Sequence, residues 1–136
     1  MRMRALRRDT EGQALLEFAL LLPVLLMLIL GIVEFGRVWN INQMLSDITR
    51  EGARRAVVFD TPQSTQQQVH DVMMQRLWDA HVDTSIVTIT FSQTGANWKS
   101  TGLTQTVTTQ FPYGFMFFRR AFGTVQITSS FTMRNE

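Results

Sequence analysis

The sequence predicts an α+β fold: a long N-terminal transmembrane helix, a second helix, and a small antiparallel sheet of three strands, or four, packed on the helices. Three observations carry this. Residues 18–33 read FALLLPVLLMLILGIV without a charge. Apolar positions then recur every three or four residues through Val57, and again from Val69 to Ala80. From Val87 onward the period falls to two, the spacing of strands with one buried face.

The apolar run widens to about twenty residues with Ala14 to Leu16 and Phe35 counted, the length a bilayer requires. A buried core helix is the competing reading, but a helix of a soluble protein keeps a polar face, and this run is apolar all round. A cleavable secretory signal also pairs a basic leader with an apolar stretch. Here the stretch is too long, and the residues that follow, GIVEFGRVWNINQ, hold no small-x-small cleavage site. Arg2, Arg4, Arg7 and Arg8 precede the run, whereas Arg37 is the one basic residue close behind it. The positive-inside rule therefore puts the N-terminus in the cytoplasm. Trp39 suits the far interface, so the chain from about Val38 onward is expected outside the cytoplasm, which in a bacterium is the periplasm. The organisation that follows is a basic leader over 1–12, a membrane helix over 13–37 and an α+β unit over 38–136.

At 136 residues the chain has room for one small globular unit besides the span. It contains no cysteine, which excludes disulfides, thiolate metal sites and a cysteine nucleophile. The net charge of +2 belongs to the leader, because residues 13–136 hold nine basic and nine acidic side chains. Nucleic acid is not an expected partner of so neutral a remainder.

Glu17 is the one charge between Gln13 and Val33. A carboxylate in such a span costs about 2.5–3.5 kcal/mol on insertion scales and asks for a cationic partner, unless it snorkels to the cytoplasmic interface. Both readings stand on the charge itself. Pro23 removes the helix bond to the Ala19 carbonyl; a passive kink and a point of local melting during assembly are equally consistent with it.

Beyond Trp39 the stripe Ile41, Met44, Leu45, Ile48, Gly52, Ala53, Ala56 and Val57 continues the helix to about Val58, and its small residues allow a close neighbour. Thr61-Pro62 reads as the N-cap and first position of a second helix that ends near His81 and buries Val69, Val72, Met73, Leu77 and Ala80. Three strands are then expected, on Val87, Ile89 and Phe91; on Leu103, Gln105, Val107, Thr109 and Phe111; and on Val125, Ile127, Ser129, Phe131 and Met133. Gly95, Asn97 and Gly102 suit the loop between the first two.

His70, Asp79, His81 and Asp83 are the one group with ligand chemistry, and a solvated surface explains them better than a metal. No nucleophile elbow, phosphate-cradling glycine loop or metalloprotease motif is present, so neither an enzyme nor a cofactor or small-molecule substrate is expected. Residues 111–122, FPYGFMFFRRAF, concentrate six aromatics beside two arginines. Either their rings complete a small core, the favoured reading, or Phe115, Phe117, Phe118, Arg119 and Arg120 dock on a partner or on membrane lipid.

Gly12, Gln13, Glu17 and Phe18, a glycine followed five residues later by a carboxylate and an aromatic at the mouth of an apolar helix, resemble a prepilin peptidase site. The resemblance implies a cut after Gly12 and a new ammonium at Gln13, about 6 Å along the helix axis from Glu17. The wider stretch from Gly12 to Val57 resembles the N-terminal signature of the TadE-like family. Pro23 lies near the start of the span, and Gly31, Glu34, Phe35, Gly36 and Arg37 form its exit. Arg50, Glu51, Gly52, Ala53, Arg54 and Ala56 form the later turn. This likeness covers about a third of the chain strongly and implies a minor, pilin-like subunit of a tight-adherence pilus. Its implied partners are a prepilin peptidase, other pilin and pseudopilin subunits, and the inner-membrane assembly platform. From a different class, an unprocessed membrane-anchored binding or scaffold protein of an envelope complex also fits the residues.

Overall fold

Leucine, methionine, alanine and arginine, which lose little conformational freedom in a helix, dominate the N-terminal part of the chain. In the computed structural model, which describes residues 3–59, 63–117, 120 and 123–135, helix α1 runs Met3–Val57. The helix thus begins within the leader, and Pro23 lies inside it. Arg54 and Arg55 occupy its last turn, where cations offset the partial negative charge of the helix end. Thr61-Pro62 lies outside the described residues. Helix α2 is Gln66–Asp79, later than the sequence predicts, and its N-cap is Thr65. Thr65 Oγ1 accepts from the Gln68 backbone N–H at 3.2 Å while the Gln68 side chain accepts from the Thr65 N–H at 2.8 Å. This reciprocal capping box outcompetes a proline start because it satisfies two orphan donors at once.

Three strands follow: β1 (Thr88–Phe91), β2 (Thr104–Gly114) and β3 (Thr124–Arg134), in one antiparallel sheet of order β1-β2-β3. Short 3-10 turns at Thr84–Ile86 and Gly95–Asn97 precede and follow β1. The register opposes Phe91 to Val107 and Val107 to Phe131. Gln105, Val107, Thr109, Phe111 and Tyr113 alternate inward along β2. On the outer face Thr106 meets Thr132 at 2.8 Å and Thr108 meets Ser130 at 3.0 Å, cross-strand hydroxyl pairs of the kind that hold a wet face together. Pro112 falls beyond the end of β1, where β2 has a strand on one side only and a missing N–H is tolerated.

The chain divides into two units, Met1–Arg37 and Val38–Glu136. In the second, the core gathers Leu45, Ile48, Ala53 and Ala56 of α1, Val69, Met73 and Leu77 of α2, and Val107, Phe111 and Ile127 of the sheet. Each large side chain buried there contributes about 1.5–3 kcal/mol. At Gly52 α1 lies close against Met73 of α2: a Cβ there would overlap Met73 Sδ and stand 2.8 Å from Met73 Cε. Val72 and Ala80, expected in the core, are only half-buried, and Leu103 and Val125 are exposed.

A buried hydroxyl pair ties α1 to the sheet. Thr49 and Thr109 are both fully buried, and the Thr49 hydroxyl bonds to the Leu45 carbonyl at 2.6 Å and to Thr109 Oγ1 at 2.9 Å. Thr49→Val is expected to cost about 1–3 kcal/mol, because Thr109 Oγ1 then stays buried without that partner. The double change Thr49→Val with Thr109→Val is expected to recover most of the loss. Urea unfolding of the full chain in detergent micelles measures both.

Candidate processing and assembly segment

Gly12, Gln13, Glu17 and Phe18 share one stretch of α1 and are all exposed. Nothing lies within 4 Å of where a Cβ would project from Gly12, Gly31 or Gly36. The apolar side chains around Glu17 are also uncovered: Leu15 is 71% and Leu20 69% exposed. The described helix Gly12–Val57 contains a window long and apolar enough to cross a membrane, and none of that window is buried. The segment therefore presents a continuous greasy surface interrupted by one carboxylate, a surface suited to lipid and to other apolar helices.

At the exit of this segment the residues behave differently. Glu34 is 3% exposed and pairs with Arg37, one turn on, at 3.4 Å. Phe35 and Gly36 are exposed. The i,i+3 spacing of Glu34 and Arg37 sets up this pair directly from sequence. Further along α1, Glu51 bonds to Arg55 at 2.7 Å and to Arg54 at 3.4 Å. The hydrogen bond from Arg55, helped by the charges of Arg55 and Arg54, holds the Glu51 carboxyl below its ordinary range.

The aromatic segment divides. Phe111 and Tyr113 are buried in β2, and Phe115 is half-buried with its ring edge-on to Tyr113, centroids 5.5 Å apart. Met116, Phe117 and Arg120 are exposed. Phe118, Arg119 and Phe122 lie outside the described residues. The first half thus completes the core, as the favoured reading expects, while Met116, Phe117 and Arg120 do not.

Among the described residues no three His, Cys, Asp or Glu side chains converge on a point where an ion could sit. His81, Asp83 and Asp79 each have a local role. His81 takes the left-handed conformation, φ 59°, that closes α2, with Val82 N–H bonding to Leu77 O and His81 N–H to Trp78 O. Asp83 accepts from Ser85 and caps the Thr84–Ile86 turn, which lowers its pKa. Asp79 accepts from Gln75 at 3.0 Å.

Sequence reasoning missed Lys99. This lysine, the only one in the chain, is 3% exposed and has φ 57°. Its ammonium donates to the Val58 carbonyl and, at 2.8 Å, to Ser64 Oγ, while the neighbouring Trp98 Nε1 donates to the Ser64 carbonyl at 3.0 Å. Together they fasten the β1–β2 loop to the chain on either side of the α1–α2 connection.

These features define a class: an α+β protein whose first helix contains a window long and apolar enough for a single-pass membrane anchor. Residues 12–54 match the family model described as TadE, TadE-like protein. The match points to a pilus-associated, pilin-like protein that meets other pilus subunits. Neither a comparison with curated proteins nor one with solved structures gives a match.

Proposed function

We propose that the chain is a minor pilin-like subunit needed to assemble a tight-adherence pilus, held in the bacterial inner membrane by residues 13–37, with residues 38–136 in the periplasm. The observation that carries this reading is the coincidence of the TadE-like match over residues 12–54 with an exposed, apolar helical surface whose one charge is Glu17. In this reading a prepilin peptidase cuts after Gly12. The new ammonium of Gln13 then pairs with Glu17 of a neighbouring subunit, because two charges in an apolar layer must neutralise each other. Axial stagger between subunits is set by that pair, and the function is packing rather than catalysis.

The test is the N-terminus of the chain isolated from native membranes. Mass spectrometry is expected to find Gln13 first. Recovery of the intact leader from cells that contain the peptidase sinks the proposal in favour of an unprocessed membrane-anchored scaffold, for which Gly12 and Glu17 are incidental.

A further inference from the structure

The two edges of the sheet differ. β1 is four residues long and stands between two 3-10 turns, a short edge of the kind that resists strand addition. β3 is eleven residues long, about 37 Å of strand, and pairs with β2 at every position from Thr124 to Arg134 without a bulge. It stands last in the order β1-β2-β3, and residues 124–134 contain no proline, lysine, aspartate or glutamate. Proline, lysine, inward charge and bulge, the devices that blunt an exposed edge, are all missing from it.

The ladder fixes which backbone groups of β3 point away from β2. Ser92 N–H donates to the Thr106 carbonyl at 2.9 Å, so the main chain of Thr106 faces β1. The odd-numbered residues of β2, Gln105 to Tyr113, therefore face β3, where the register sets them opposite Met133, Phe131, Ser129, Ile127 and Val125. Asn135 N–H, which donates to the Leu103 carbonyl at 2.9 Å, continues the same alternation. The N–H and C=O groups of Thr124, Gln126, Thr128, Ser130, Thr132 and Arg134 are left on the open side, and among the described residues nothing bonds to them. Beside this row Val125, on the inner face, is 46% exposed.

We propose that the outer edge of β3 receives an extended, acidic segment of a partner protein as a further antiparallel strand. A strand is the occupant whose own donors and acceptors repeat at the spacing of the free edge, and its alternate side chains decide which sequence fits. Apolar residues are required beside Val125, Ile127 and Phe131. Charge decides the rest. Arg134 ends β3, and Arg50 of α1 lies over the Phe131 ring, 5.0 Å from its centroid. Both arginines are exposed, and among the described residues neither pairs with a carboxylate. Residues 84–135 supply no aspartate or glutamate. A second copy of β3 would bring the same arginine and again no carboxylate, so charge complementarity selects a different protein, with its acidic residues opposite Arg134.

The probe is the peptide Glu-Val-Glu-Val-Thr-Val-Thr-Val-Thr with a C-terminal fluorophore, compared with the peptide in which both glutamates are lysines. Each is added to the full chain in dodecyl maltoside micelles and followed by fluorescence anisotropy. The acidic peptide is expected to bind about tenfold more tightly than the basic one, and Arg134→Gln to remove most of that preference. Thr128→Pro takes away an outward N–H but no bond between β2 and β3, so the sheet is expected to survive while affinity for the acidic peptide falls about tenfold. Slow amide exchange at Ile127 and Ser129, whose N–H groups face β2, reports the intact sheet. Independently of any substitution, the acidic peptide is expected to slow exchange at Thr128 and Ser130. Binding that leaves these two amides unprotected, or that survives Thr128→Pro, overturns strand addition. Equal affinity for the two peptides overturns the acidic partner, and failure of both to bind overturns the inference as a whole.

Discussion

Glu17→Gln is expected to leave the chain inserted in the membrane and cut after Gly12, yet absent from assembled filaments. The charge penalises the isolated subunit and stabilises the filament. As an isolated subunit, the chain carries a carboxylate in a surface that is otherwise leucine, phenylalanine and alanine, so removing the charge eases insertion by part of the roughly 2.5–3.5 kcal/mol that a buried carboxylate costs. In the proposed filament the same carboxylate neutralises the Gln13 ammonium of a neighbour. Its loss leaves that ammonium unmatched among apolar helices, at a comparable cost in the opposite direction, which amounts to about a hundredfold in association at each subunit contact. Better insertion with worse assembly is a combination that simple misfolding does not produce. Membrane fractionation, N-terminal mass spectrometry and immunodetection in sheared filaments read the three steps separately. Normal incorporation of Glu17→Gln rules out the charge pair.

The architecture was legible because it rests on periodicity. The uncharged run of residues 18–33, the stripe through Val57 and the alternation along β2 from Gln105 and along β3 from Ile127 reappear at the expected place, even to Gln105 and Thr109 pointing inward with their apolar neighbours. How those inward polar groups are satisfied was not legible. Thr109 finds Thr49 sixty residues away, and the Gln105 amide accepts from the Gln93 backbone N–H across the β1–β2 loop. Spacing within a strand says nothing about the element that arrives opposite. Lys99 failed for the same reason: a lone lysine in a Gly- and Asn-rich loop reads as solvated, and its burial depends on closure over Val58 and Ser64. Thr65-Gln66-Gln67-Gln68 carries the S/T-x-x-Q pattern of a capping box, but Pro62 supplies a stronger conventional signal three residues earlier, so the sequence alone puts the start of α2 too early. In the processing segment the position of Glu17 is a matter of sequence, but the burial of Glu34 is not. Nothing in Gly31 to Arg37 distinguishes a covered carboxylate from an exposed one.

Gly52→Val is expected to destabilise the second unit by about 1–3 kcal/mol, because overpacking in the core outweighs the small gain in helix propensity of valine over glycine. An ordinary helical glycine behaves in the opposite way, since replacing it with a residue better suited to helix relieves up to about 1 kcal/mol. Here the space for even the first added carbon is taken by Met73, itself 1% exposed and packed with Leu45 and Val69 in the same core. The methionine is flexible, but burial restricts where its thioether can go, and the backbone of α2 is held at its start by the Thr65–Gln68 capping box. Truncating the neighbour separates steric overlap from helix propensity. Met73→Ala should itself cost about 2–5 kcal/mol by opening a cavity. Combined with Gly52→Val, it should cost less than the sum of the two by at least about 1 kcal/mol, because the valine occupies space that the methionine vacates. Thermal unfolding of the four chains in one detergent gives the coupling. Strict additivity means that the approach of α1 to α2 at Gly52 is looser than the overlap with Met73 implies, and the glycine then matters for helix propensity alone.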